Sequence, residues 1–198
     1  SGRDVGFAVT HEEAVSEIAT RFIHSYKDLP RFIYQIQTKF RDEPRAKSGV
    51  IRGREFLMKD LYSFHRDEAD LEKFYARADK AYRKIFMRCG VDALVTEASG
   101  GTFTKSFSHE YQAVSEAGED WTLYCETCRY AQNKEISTLA EGGKCPKCGG
   151  VIRGAKTIEV GNIFKLGTKF SEAFGVSYAD ETGERRPVVM GCYGIGPG

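Results

Sequence analysis

Four of the six cysteines fall in two pairs, Cys125-x-x-Cys128 and Cys145-x-x-Cys148, with sixteen residues between the pairs. Thiolates at this spacing suit a tetrahedral zinc ion with bonds of about 2.3 Å, and the small residues of "CPKCGG" let a tight knuckle turn its amides toward sulfur. With all four positions filled by protein, no coordination site remains for water, so the expected role of the metal is structural. The alternative is a set of buried free thiols. Cys89 and Cys192 stand outside the pattern and read as small core residues.

A second group of residues could hold an anion. Lys39, Arg41, Arg45, Lys47, Arg52 and Arg54 oppose only Asp42 and Glu43, in a chain of 198 residues whose formal net charge is +1. A local basic patch in a balanced chain suggests one particular anion rather than diffuse attraction to nucleic acid or membrane. Arginine at a strand end can set a rigid fork against phosphate, a nearby carboxylate can accept from an exocyclic amine, and an aromatic ring such as Phe56 can cover a base. These are parts of a nucleotide site. A solvated surface loop has the same composition.

The elements that must position these residues follow from periodicity. Thr10 with Glu13 has the form of a capping box, and Ala14, Val15, Ile18, Phe22 and Ile23 continue with helical spacing, which predicts a helix from about His11 to Tyr26. Pro30 ends it. "RFIYQIQTKFR" alternates Phe32, Tyr34 and Ile36 with Gln35, Gln37 and Lys39, and "GREFLMKDLYSFH" reads as its partner strand, so the basic segment is the loop of a long hairpin. Asp67 to Gly90 carries apolar residues at Leu71, Phe74, Tyr75, Ala78, Tyr82, Ile85 and Phe86, a second helix. "VDALVTEA", "SFSHEYQAVS", "IEVGNIFKLG" and "PVVMGCYGIG" read as further strands, with a short helix in "TKFSEAFG". The expected class is α+β, an antiparallel sheet with helices on one face, plus a small zinc ribbon. The expected division is 1–118 and 153–198 as the two parts of one core, with 119–152 as the ribbon.

A hydrophobic fraction of 41% and a charged fraction of 29% fit a globular protein with a core. No apolar run approaches the roughly 18 residues of a membrane span, and the N-terminus lacks a signal-peptide layout, so a cytosolic location is expected. A chain that starts within an apparent strand and stops at "GCYGIGPG" reads as an excised piece.

"QIQTKFRDE…GVIRGREFLMKDLYSFH" resembles motif 2 of a class II aminoacyl-tRNA synthetase, of the bacterial prolyl type. The likeness extends through "VTHEEAV", "SYKDLP", "SHEYQAVSEAGED", the cysteine pairs, "IEVGNIFKLGTKFSEAFGV" and "VVMGCYGIGPG". It implies a class II antiparallel catalytic sheet and a reaction in which the carboxylate of proline attacks the α-phosphate of ATP, giving prolyl-adenylate and pyrophosphate before transfer to tRNA(Pro). ATP, Mg2+ and structural Zn2+ are the implied cofactors, and a homodimer the implied state of the parent protein. By the same resemblance, Arg41 is the catalytic arginine holding the α-phosphate and the substrate carboxylate. Glu43 reads the adenine amine, Arg52 meets the phosphates and Phe56 stacks on adenine. Thr10 and Glu12 match the loop that holds the secondary ammonium of proline, and His109 matches the pocket histidine near its ring. On residues alone, Thr10 could simply cap the helix, Glu12 could be an exposed first-turn acid favoured by the helix dipole, and His109 an ordinary strand histidine.

Three departures from the family pattern alter the expectations. Only "RYAQNKEISTLAEGGK" separates the cysteine pairs, where most relatives carry an editing domain, so hydrolysis of mischarged alanyl-tRNA is not expected. Asn162 stands where histidine is common, keeping hydrogen bonds without titrating near neutrality. The sequence stops before the arginine of motif 3 and lacks motif 1 and the anticodon-binding domain, so weak ATP binding and an inactive fragment are expected. The competing readings are a non-catalytic zinc-ribbon protein that binds RNA or regulates, and a class II synthetase for another amino acid such as threonine. The ribbon's few cations, Arg129, Lys134, Lys144 and Lys147, face five acids over 118–152, which disfavours it as a main RNA-binding surface.

Overall fold

Alternating and helical patterns succeed one another along the chain, and the computed structural model gives them as α1 (Glu12–Ala19), β1 (Arg31–Phe40), β2 (Glu55–His65), α2 (Glu68–Arg88), β3 (Ala93–Ala98), β4 (Ser108–Val114), β5 (Asp120–Cys125), β6 (Ala131–Asn133), β7 (Ile152–Gly167), α3 (Lys169–Phe174), β8 (Ser177–Ala179), β9 (Arg185–Pro187) and β10 (Val189–Ile195). The described residues are 6–44, 46, 49–102 and 107–197, and Arg45 and Lys47 of the basic segment lie outside them. Contacts group the chain into two units, Ser1–Glu68 with Gly167–Gly198, and Ala69–Leu166.

In the first unit β2 is the middle of three antiparallel strands, with β1 on one side and β10 on the other. The hairpin register runs from Arg31 opposite Phe64 to Phe40 opposite Glu55, which leaves the basic segment as the connection. The outward face of β1 is apolar: Phe32, Tyr34 and Ile36 are exposed, whereas Lys39 is 1% exposed. Helix α1 is shorter than its periodicity predicts. After Ala19 the bonds tighten, with Arg21 N–H to Ile18 O and Phe22 N–H to Ala19 O, and the carboxylate of Asp28 then accepts from the amides of His24 and Ser25. Side-chain acceptance of backbone donors offers the chain an alternative to further helix, and a 3-10 turn at Tyr26–Asp28 follows. Ile18 and Phe22, expected inside, are exposed.

In the second unit α2 buries Leu71, Tyr75, Ala78, Tyr82 and Phe86. Tyr82 and Phe86 meet the ring of Tyr111 on β4 at centroid distances of 5.0 and 5.3 Å, and the Tyr111 hydroxyl donates to Asp79 Oδ1 at 2.9 Å. Ile85, assigned to the same face by spacing, is exposed. Strand β7 begins at Ile152, earlier than expected, because its first half pairs with β5 and its second half with β4. The arrangement is mixed rather than wholly antiparallel. Strand β6 turns back from β5 and so lies parallel to β3, with Thr96 opposite Ala131. Cys192 is buried as expected; Cys89, just past the end of α2, is exposed instead of a core residue.

Candidate functional site

Register brings the polar residues of the hairpin together. Gln35 stands opposite Asp60, and Asp60 Oδ2 accepts from Gln35 Nε2 at 3.0 Å, Lys39 Nζ at 3.1 Å and Tyr62 Oη at 2.8 Å. Lys39 Nζ is also 3.0 Å from Asp60 Oδ1 and contacts His11 Nδ1. The ammonium can only donate, so His11 accepts at Nδ1 as a neutral imidazole. Burial, then the Lys39 charge, hold the His11 pKa below its ordinary value. Burial, with Glu12 and Asp60 nearby, pushes the Tyr62 phenol far up and keeps it a donor.

Glu12 lies above this network on the buried stripe Glu12, Val15, Ser16 and Ala19 of α1. At 3% exposure it is not the solvent-facing first-turn acid that composition allows. The capping-box expectation for Thr10 also fails. The N-cap is His11, without a side-chain cap bond, and the Thr10 hydroxyl donates to Glu12 Oε2 instead. The Cys192 thiol donates to Glu12 as well, and burial first, then that neighbour, raises its pKa well above the ordinary value. Glu12 therefore has two neutral donors and, among the described residues, no cation within salt-bridge distance. Asp60 has its lysine.

The motif of arginines sits where β1 leaves the sheet. Arg41 N–H bonds to Arg54 O at 2.8 Å, its Nε donates to Val9 O at 3.2 Å, and its guanidinium lies 5.1 Å from the centre of the Phe56 ring. Glu43 Oε2 and Arg52 Nε are 3.0 Å apart, and Arg54 Nε holds the Glu43 carbonyl at 3.0 Å. Thr10, Glu12, Arg41, Glu43, Arg52 and Phe56 thus belong to one unit. They offer guanidinium groups, a partly covered aromatic face and a buried carboxylate, which suit a zwitterion and a phosphorylated heterocycle.

His109 belongs to the other unit, opposite Ile163 on β7. Its Nδ1 is 2.8 Å from Tyr75 Oη, and that hydroxyl gives its one proton to Ile163 O at 3.1 Å. Nδ1 is accordingly the protonated nitrogen and Nε2 the acceptor. Burial lowers the His109 pKa. Of its sequence neighbours, Ser108 is buried and Phe107 is 60% exposed.

The four paired cysteines converge, with Cys125 Sγ to Cys148 Sγ at 3.5 Å and Cys128 Sγ to Cys145 Sγ at 3.7 Å. A disulfide needs about 2.05 Å, whereas a zinc tetrahedron with bonds of about 2.3 Å has edges of about 3.8 Å. All four sulfurs lie within 4.8 Å of one another. The amides of Cys128 and Thr127 bring the Cys125 thiol down to about 6 despite burial. Gly150 completes the second knuckle, since a Cβ there would come 2.5 Å from Thr127 Oγ1 and 3.0 Å from Cys125 Sγ.

Sequence reasoning missed Asp60 and Tyr62, which read as ordinary strand residues, and it gives Lys39 only a place in the basic patch and Cys192 only a place in the core; the signal for Asp60 is the hairpin register, which sets Gln35 against it.

A family profile described as the tRNA synthetase class II core domain (G, H, P, S and T) matches residues 2–197. The proline--tRNA ligase of Sulfurimonas denitrificans is 40% identical over 206 residues, covering 94% of this chain and 47% of that protein. A probable mitochondrial proline--tRNA ligase of Rattus norvegicus is 40% identical over 196 residues, covering 98% of this chain and 41% of that protein. The chain thus spans about half the length, or less, of these relatives. A crystal structure of prolyl-tRNA synthetase from Cryptosporidium parvum, complexed with L-proline and AMP, superposes with a TM-score of 0.65 at 18% identity, covering 95% of this chain and 32% of that one, which bears on the fold.

Proposed function

Because the chain belongs to the class II tRNA synthetase core-domain family, we propose that it is the substrate-activating part of a proline--tRNA ligase. In the reaction, a carboxylate oxygen of proline forms a bond to the α-phosphorus of ATP while the bond from that phosphorus to the bridging oxygen breaks. Pyrophosphate leaves with the electron pair, and the prolyl group then passes to tRNA(Pro). The attacking carboxylate is already ionised at neutral pH, so catalysis rests on positioning and charge neutralisation rather than on a general base.

The observation that carries this reading is the buried carboxylate of Glu12. A buried charge demands a partner, and two neutral donors do not supply one. The secondary ammonium of proline has the right sign and two N–H groups to offer. Thr10 orients Glu12, and the Lys39–Asp60 pair beneath them neutralises the second buried acid. Arg41, fixed by Val9 O and Phe56, is the cation for the α-phosphate and the catalytic residue. Glu43 serves the adenine amine, Phe56 the adenine face, and Arg52, tied to Glu43, adds charge on the phosphate side. His109, to which the resemblance gives the proline ring, lies in the other unit and carries a neutral imidazole. Mg2+ accompanies ATP. Cys125, Cys128, Cys145 and Cys148 would hold Zn2+, which ties the two knuckles together and takes no part in the chemistry. The parent protein would act as a homodimer.

The test is amino-acid-dependent exchange of pyrophosphate into ATP by the full-length protein containing this chain, with proline, threonine and alanine compared. Proline-dependent exchange that falls about 100-fold or more in Glu12→Gln is expected, the usual scale for losing a preorganised charge. Faster exchange with threonine would replace the substrate assignment.

A further inference from the structure

Helix α2 turns Leu71, Tyr75, Ala78, Tyr82 and Phe86 into the core of its unit. At about 100° per residue the side directly opposite is Lys73, Arg77, Lys80, Lys84 and Arg88, and all five are exposed. Each cation is three or four residues from the next. At a rise of about 1.5 Å per residue the stripe is about 22 Å long.

The acids of the helix do not answer it. Glu68 and Asp70 precede the stripe in the first turn, where the helix dipole favours negative charge. Glu72 is paired with Lys165, and Asp79 accepts from Arg83 Nε at 2.8 Å and Tyr111 Oη at 2.9 Å. The Arg77 guanidinium lies 5.7 Å from the centre of the Phe74 ring. Among the described residues, no carboxylate lies within salt-bridge distance of the five cations.

A helix face that meets only water gains from opposite charges at i and i+4. Here those positions repeat one sign, Lys73 with Arg77, Lys80 with Lys84 and Lys84 with Arg88, and like charges so placed destabilise an isolated helix. The helix dipole favours cations only in the last turn, which accounts for Arg88 and leaves Lys73, Arg77 and Lys80 without a local reason. We propose that this stripe binds the phosphate backbone of an RNA stem. About one cation per turn can follow a line of phosphates, and because none of the five is an amide or aromatic side chain, the contact positions the RNA without reading its sequence. A membrane surface is disfavoured, since an interfacial helix buries an apolar face in lipid and that of α2 is already buried in the protein. The stripe lies in the unit Ala69–Leu166, whereas Arg41 and Arg52 belong to the other. Only the choice of RNA over DNA rests on the function proposed above, in which a tRNA accepts the prolyl group.

The experiment titrates a fluorescein-labelled RNA hairpin with the full-length protein containing this chain, without ATP or proline, at several salt concentrations. Affinity that falls linearly on logarithmic axes as salt rises is expected. Lys80→Gln combined with Lys84→Gln should make that slope shallower by about 2, one for each lost phosphate contact, and Lys80→Glu combined with Lys84→Glu should weaken binding by about 10-fold or more at low salt. Proline-dependent pyrophosphate exchange without RNA should be the same in both variants as in wild type. RNA bound in this way by a protein that shows no such exchange would support the stripe and strike the function proposed above. An unchanged slope in well-folded variants overturns the proposal, whether or not the stripe captures vesicles of anionic lipid. Tighter binding of a DNA duplex of the same length overturns the choice of RNA. A lowered thermal midpoint with RNA binding intact overturns it in favour of an acidic surface of the parent protein.

Discussion

Lys39 Nζ lies 3.0 Å from Asp60 Oδ1 with the two side chains only 1% and 5% exposed, so the centre of the hairpin is an ion pair rather than an apolar contact. Breaking such a pair leaves one buried charge uncompensated. Lys39→Met and Asp60→Leu should each destabilise the chain by about 3–5 kcal/mol, and the double variant should be closer to wild type than either cost implies, since both charges are then gone. Urea unfolding of the four proteins measures this. Additive losses would mean that the two charges do not interact in the fold.

Arg41→Ala in the full-length protein should lower proline-dependent pyrophosphate exchange by about 100-fold or more. Arg41→Lys should not restore it, because a single ammonium cannot hold Val9 O and the face of Phe56 while presenting a planar fork to phosphate. Exchange rates at saturating ATP and proline separate this from a simple loss of affinity.

Gly150→Ala should reduce zinc affinity, because the added methyl would press on Thr127 Oγ1 and Cys125 Sγ. Released zinc, measured with a chromogenic chelator, should appear at lower chelator concentration than for wild type. The fluorescence of Trp121, the single tryptophan, should change with the metal, since Trp121 packs against the cluster containing Cys125 and Cys145. An unaltered release profile would show that the second knuckle has room to adjust.

His109 and His11 both have pKa values lowered first by burial, so the folded chain keeps them neutral where the unfolded chain takes up protons. The unfolded state then binds more protons, and stability rises with pH in that window. Their contribution is complete above about 6.5, the ordinary histidine value, and is lost as pH falls from there through the folded values. His109→Gln should flatten the stability profile between pH 7 and 5 relative to wild type, as read by thermal midpoints. An unchanged slope would place the acid sensitivity elsewhere.

The long elements were legible because their patterns were local. Leu71, Tyr75, Ala78, Tyr82 and Phe86 give α2 its buried stripe, and Gly90, at a φ of 74°, ends its turn. The cysteine spacing likewise anticipated four converging sulfurs. What spacing could not supply was the partner of each polar residue. The alternation of Phe32, Tyr34 and Ile36 with Gln35 and Lys39 marks two faces of β1, but only the register brings Gln35 and Lys39 to Asp60 and leaves the three apolar residues exposed. Thr10 and Glu13 look like a capping box until the buried carboxylate of Glu12 takes the threonine hydroxyl. The short strands β5, β6, β8 and β9 escaped notice because each is defined by its partners in the ladder, not by its own alternation.

The two knuckles fix the ends of the segment between them at adjacent points, since Cys128 Sγ and Cys145 Sγ are 3.7 Å apart. A segment that leaves and returns at one place can lengthen at little cost. Each doubling adds only about 0.6 kcal/mol of loop-closure entropy, and the cross-link that a metal on the sulfurs would supply stays the same size. Ala140, Glu141 and Gly142 form an exposed stretch of that segment, beyond β6 and clear of the sulfur contacts. A metal held by the four sulfurs would therefore make 140–142 a host position for a guest domain: the scaffold could gain or lose a whole folded module there while its own strands keep their register.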